Sequence, residues 1–290
     1  MKRVVAILMC GCLLASVADM SAAAGAASPE DVRKTAEATM LVTGIIDVDP
    51  SGSLHSYALD QPEKLPPAVV GVVGKALSSW AFKLSEPTDE LVHSKVSLRV
   101  VAKPMADGNY KVTVEGASFF QPGPGGEWAT IKDRSRQPRY PTEAVDARVS
   151  GTAYLLLRIG RDGTVEEAFA EQVNLDQYSS EVDMKHYRKL LADAALDAAR
   201  HWTYTPPSNG AHVDDPFWLV RSPVVFHIKV IGTPTAEQPY GHWKTYIPGP
   251  RQELPWIGKS LANESPDAMP EDEMRSGDPR LQLITPVGGA

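Results

Sequence analysis

The chain has 290 residues, 43% of them hydrophobic, with 36 acidic against 29 basic side chains and a formal charge of −7. That length suits two modest domains rather than one. A mildly acidic balance gives no electrostatic reason to expect nucleic acid as a partner, because phosphate backbones attract basic patches.

Met1-Lys2-Arg3 is followed by an apolar run from Val4 to Val17, then by Asp19 and the small residues 21–27. A basic start, a short apolar core and small residues beyond it predict a secretory leader over 1–26, cleaved near Ala24, and therefore a periplasmic protein. The competing reading is an uncleaved inner-membrane anchor. The run of 14 residues falls short of the about 20 that span a bilayer. Cys10 and Cys12, the only cysteines, both lie in the leader, and acylation of Cys12 is a further alternative. A processed chain would hold neither disulfides nor thiolate metal sites, so packed apolar faces must stabilise it.

Pro29 opens a helical stretch to residue 38, followed by an apolar strand over 41–48 and the turn Asp49-Pro50-Ser51-Gly52. An amphipathic helix is predicted over 68–80, a strand over 96–102, and a further strand over 110–118. Within that helix, Gly71-Val72-Val73-Gly74-Lys75-Ala76 fails as a phosphate loop, which needs glycine at 69 and Ser or Thr at 76. Gln121-Pro122-Gly123-Pro124-Gly125-Gly126 cannot hold regular structure and begins a linker over 121–132. Lys132, Arg134, Arg136 and Arg139 read as solvated residues leading out of it.

The second half is more regular. Pro141 suits a first helical turn. Arg161-Asp162-Gly163 lies between two β-prone runs, and Asp-Gly supplies the positive φ of a hairpin turn. Leu191, Ala194, Ala195, Ala198 and Trp202 recur at helical spacing, and Pro206-Pro207 stops that helix. Residues 223–228 form a closing strand. The first half carries the same order in weaker form: Pro29 precedes Gly52 by 23 residues and Pro141 precedes Gly163 by 22, with Trp80 standing where Trp202 stands. Such a repeat predicts two similar modules in tandem.

The motifs of the second half are Gln137-Pro138-Arg139-Tyr140-Pro141, Gly151 ten residues on, Asp162-Gly163, Trp202-Thr203-Tyr204-Thr205-Pro206 and Val224-Val225-Phe226. In this order they resemble the C-terminal domain of the TonB energy transducers, over roughly a third of the chain. The stretch 176–189 is longer than the family's. The resemblance implies a TonB C-terminal domain at 133–232, and with the repeat as a degenerate copy at 29–120 the expected fold is α+β, two small α-β-β-α-β domains in tandem. It further implies binding of an extended partner segment, such as one from an outer-membrane receptor, along the last strand. Carried over by position, the peptide-binding candidates are Gln137, Pro138, Tyr140, Pro141, Val224, Val225, Phe226, His227 and Ile228. A homodimer through strand edges is a second partner reading. Tyr140 and Phe226 equally suit a core.

Residues 233–290 are punctuated by prolines, which predicts an extended Pro-rich tail, disordered from about Glu264. Tyr240, Trp243, Tyr246 and Trp256 are too many aromatics for a free tail and predict that 240–256 docks onto a domain. The acidic runs Asp214-Asp215 and 267–273 read as solvated turns. The seven histidines are scattered singly, and neither a G-x-S-x-G elbow nor an H-E-x-x-H pair occurs. No catalytic residue, metal or cofactor is therefore assigned, and the chain reads as a binding protein rather than an enzyme. An energy transducer and an inert scaffold are the alternatives. The transducer would need a full-length anchor and a long spacer; no histidine precedes His55.

Overall fold

The computed structural model describes residues 28–105, 108–120, 126–228, 239–252, 264–276 and 280–288. The leader, residues 121–125 of the linker, and Trp256 lie outside them. The fold is mixed α+β, with antiparallel sheets and few helices. Among the described residues no helix is long and apolar enough to cross a membrane.

In the first half, helix α1 (Pro29–Arg33) is capped by the Ser28 hydroxyl and stops short of residue 38. Strand β1 (Glu37–Val48) takes over because its side chains alternate between two faces. Strand β2 (Leu54–Leu59) returns beside it, and helix α2 (Pro67–Ser78) follows. Then come β3 (Phe82–Leu84), β4 (Val92–Pro104) and β5 (Tyr110–Phe120). Strand β4 pairs with β1 on the side opposite β2, and β5 extends the sheet beyond β4. Val69, Val73 and Leu77 of α2 pack on Met40, Val42, Ile46, Val96 and Leu98, with Trp80, Phe82 and Phe119 edge to face beneath them.

The second half opens with β6 (Thr130–Asp133), so the expected linker ends in a strand. Helix α3 (Thr142–Asp146) follows, with Pro141 one position before its first turn. Next are β7 (Gly151–Gly160), β8 (Val165–Leu175), α4 (Glu181–Ala199), β9 (Thr203–Thr205) and β10 (Phe217–Phe226). Ser180 caps α4, so most of the long 176–189 stretch is helix rather than loop. The sheet order is β10-β7-β8. Leu191, Ala195 and Ala198 pack with Ala153, Leu155, Leu157 and Ile159, and Trp202, 1% exposed, closes that core.

The two halves repeat the same connections. Strands β2-β1-β4 stand in the order of β8-β7-β10. Gly52 (φ 84°) and Gly163 (φ 81°) each lie against a carbonyl, of Phe82 and of Tyr204. A Cβ at either glycine would approach that oxygen to 2.0 or 2.1 Å, so neither tolerates a side chain. Each glycine carbonyl in turn accepts a matching bond, Gly52 O from Phe82 N–H and Gly163 O from Tyr204 N–H, both 2.7 Å.

The C-terminal residues complete both halves. Strand β11 (Lys244–Tyr246) pairs with β1 at Glu37–Thr39, and Ile247 then exchanges two backbone bonds with Leu175 of β8. Strand β12 (Leu281–Leu283) pairs with β3 as β6 pairs with β9, while Val287 O accepts the Trp80 indole N–H at 3.1 Å. Docking of the aromatic segment is thus seen over 239–252. The expectation of disorder from Glu264 is corrected over the described residues: Glu264, Asp267, Ala268 and Met269 are buried. Met269 packs with Phe120 and Tyr154, which belong to different sheets. Helices therefore cover the outer faces, and residues 264–276 lie between the inner ones.

Trp202→Ala removes the closing side chain of the second core and should cost about 3–5 kcal/mol in a denaturant titration. A chain ending at residue 276 loses the partner of β3 and should melt earlier than the full chain, with Trp80 fluorescence reporting the first half opening.

Candidate functional site

Two places in this architecture have the makings of a site: the outer edge of β10 and a cleft between the sheets. Arg221 donates its N–H to Arg275 O at 2.8 Å and accepts from Arg275 N–H at 2.9 Å, so its backbone faces away from β7. Strand alternation turns the backbone groups of Pro223, Val225 and His227 the same way. Pro223 has no N–H to offer, which suits an edge, and its carbonyl accepts from Arg134 Nη2 at 3.4 Å. Beyond it Val225 is 45% exposed, and among the described residues its outward N–H has no partner. The docked segment 239–252 covers β1 and β8, not β10.

The candidate side chains divide by strand parity. Val224 and Phe226 are buried in the helix-side core, whereas Val225 and His227 are exposed and Ile228 is half-buried. Ile228 N–H turns inward to Ser150 Oγ at 3.3 Å. Tyr140 stands edge to face on Phe226, ring centroids 5.3 Å apart, and its hydroxyl donates to Val149 O at 2.6 Å. Both aromatics therefore serve the core. Gln137 is exposed and donates Nε2–H to Arg134 O at 2.6 Å. Pro138 and Pro141 are half-buried on either side of the exposed Arg139. The residues 137–141 thus reach the β10 edge through one ring contact, Tyr140 on Phe226. Arg134 departs from the solvated reading: its guanidinium lies 4.5 Å from the Trp202 ring.

The cleft of about 770 Å³ lies between the inner sheet faces and the C-terminal segments. Its base is a polar network drawn from both halves. Asp267 Oδ2 accepts from Gln172 Nε2 at 3.0 Å, Asn174 Nδ2 at 3.1 Å and the Tyr246 hydroxyl at 3.2 Å. Arg99 reaches Asp267 at 3.3 Å, Glu37 at 3.0 Å and the Tyr246 hydroxyl at 2.8 Å. Burial, with Asp267 nearby, pushes the Tyr246 hydroxyl far above its ordinary range. At one rim Lys244 pairs with Glu271 at 2.7 Å and lies 3.7 Å from Asp176. Burial holds the Asp176 carboxyl above its ordinary value, Lys244 opposing and Glu271 adding to the rise. The reading of 267–273 as a solvated turn fails at Asp267 because its charge is buried against Arg99.

Deeper still, Arg221 is 2% exposed and donates to Glu171 at 2.8 and 3.1 Å and to Glu264 at 2.5 Å. Sequence reasoning missed both charge clusters. Their members lie 43 to 168 positions apart, and the only local signal was acidic residues where disorder was expected. No group of His, Cys, Asp or Glu among the described residues could hold a metal ion. No family model matches the chain, and no curated protein or solved structure matches it.

Arg221→Ala strands two buried carboxylates and should cost about 3–5 kcal/mol, measured by chemical denaturation. Asp176 gives a pH test. Its folded-state value lies above the ordinary 3.8, so its favourable contribution is full below that value and is lost as pH rises. Asp176→Asn should therefore stabilise the protein at neutral pH relative to wild type, with the gain disappearing in acid. Melting curves at pH 7 and pH 3 check the sign.

Proposed function

We propose that this chain is a non-enzymatic, TonB-like binding protein of the cell envelope, exported by its leader to the periplasm. It is built from two tandem modules over 29–120 and 133–232, the second being the TonB C-terminal domain and the first a degenerate copy. The shared strand order and the paired glycines at 52 and 163 support the duplication. The partner is an extended polypeptide segment that adds to β10 along Val225 and His227. A receptor of the outer membrane is one source of such a segment, and a second copy of the chain is another.

One observation carries this reading: the outward backbone of β10 past Arg221 has no strand beside it among the described residues, while the end of β8 at Glu171–Leu175 and part of β1 are capped by the chain's own C-terminal segment. Exposed strand edges are where extended peptides add by main-chain hydrogen bonds. The buried parity residues Val224 and Phe226 hold the strand in place, so the edge is presented rigidly. An inert scaffold gains support from Arg275, which already occupies the position opposite Arg221. The transducer reading needs an intact anchor at the N-terminus, and recovery of Met1 in the membrane fraction would favour it.

Val225→Pro deletes one outward N–H at a position that makes no bond to β7, so the fold should lose no more than about 1 kcal/mol. Capture of a receptor-derived extended segment should fall at least tenfold, as roughly 1.4 kcal/mol of lost pairing requires. Unchanged capture by a variant of wild-type stability would remove β10 as the interface.

A further inference from the structure

Strand β1 is paired with β4 along 38–48, but its other edge carries two separate partners. Strand β2 pairs with residues 44–48 and β11 with 37–39. Asp60 donates its N–H to Thr43 O at 2.9 Å, and the Tyr240 hydroxyl accepts from Thr43 N–H at 3.0 Å. Gln61, at φ 44°, then turns the chain off the edge. Three positions of β1, Met40, Leu41 and Val42, have no strand opposite on this side. Thr43 faces the edge, so by alternation the N–H and C=O of Leu41 face it too. Among the described residues neither group has a hydrogen-bond partner.

This breach opens into the inter-sheet cleft, whose lining includes Leu41, Asp60 and Lys244. Tyr154 also lines the cleft, from the second sheet. It is 5% exposed, yet its hydroxyl bonds to none of the described residues. A buried tyrosine hydroxyl normally has a partner. An unpaired strand edge and a tyrosine hydroxyl free to bond into the cleft thus border one cavity.

We propose that the breach binds a short peptide with free ends, about three residues long, lying antiparallel to β1 as the missing piece of its edge. The middle residue exchanges two backbone hydrogen bonds with Leu41. At about 3.3 Å per residue, Thr39 to Thr43 spans about 13 Å. That is room for three residues but not for a through-running chain, because β2 and β11 close both ends. The direction follows from charge. A peptide running the same way as β2 and β11 puts its ammonium beside Asp60 and its carboxylate beside Lys244, where it shares that cation with Glu271 and Asp176. The reverse orientation brings like charges together. Tyr154 offers its hydroxyl from the opposite wall. This site is separate from the β10 edge and does not depend on it.

The test is a titration of the full chain with tri-alanine, following the Leu41 amide by NMR, against the same peptide acetylated and amidated at its ends. Free tri-alanine should move the Leu41 resonance saturably, and blocking the ends should weaken binding about fivefold or more. Asp60→Asn, at an exposed position that leaves the fold intact, should weaken the free peptide by a similar factor and leave the blocked one unchanged. A Leu41 resonance that stays still into the millimolar range overturns the assignment. So does an equal response to free and blocked peptide, or an Asp60→Asn variant that binds as wild type.

Discussion

The Arg221 guanidinium is the constraint on which the arrangement of the two sheets depends. A cation this deeply buried is tolerated only when its charge and its donors are met. Glu171, on β8 of the same sheet, meets part of that need with two bonds. Glu264, in the C-terminal segment, meets the rest. Pairing Glu264 with Arg221 holds residues 264–276 against the inner face of the second sheet. Three residues on, Asp267 then reaches Arg99 of the first sheet, and Arg275 stacks its guanidinium 4.2 Å from Phe120. One ion cluster thus recruits a segment that ties the two halves together. The same segment places Arg275 beside β10 at Arg221.

Much of the fold was legible because it rests on local periodicity. The stripe Leu191, Ala195, Ala198 and the Asp162-Gly163 turn specify α4 and the β7–β8 hairpin without reference to distant residues. The strands that escaped notice, β3, β6, β9, β11 and β12, are three or four residues long and are defined by partners far along the chain. No window of sequence carries such a signal. The C-terminal segment misled for a different reason. Its prolines and acids match the composition of disorder, but Glu264 and Asp267 are buried acids with cationic partners, and pairing across 43 and 168 positions is invisible before the chain is folded.

The candidate site was legible in part. The Gln137 to Pro141 motif and the last strand pointed to β10, and parity then separates Val225 and His227, which face outward, from Val224 and Phe226, which hold the core. Tyr140, chosen for its motif, spends its ring on Phe226 and its hydroxyl on Val149. The cleft between the sheets had no sequence signature, because its walls come from β1, β7, β8 and the C-terminal residues together. Seen as a whole, the chain uses its C-terminus to cap β8 and part of β1. Among the described residues, a length of β10 and one breach in β1 stay open.

The openness of β10 is the central claim, and site-resolved amide hydrogen exchange on the free protein tests it most directly. An open edge gives slow exchange at Val224 and Phe226, which bond to β7, and at Arg221, which bonds to Arg275. Val225 and His227 should exchange fast. Protection at Val225 equal to that at Arg221 would contradict the account, since it would mean that another segment already lies along this edge.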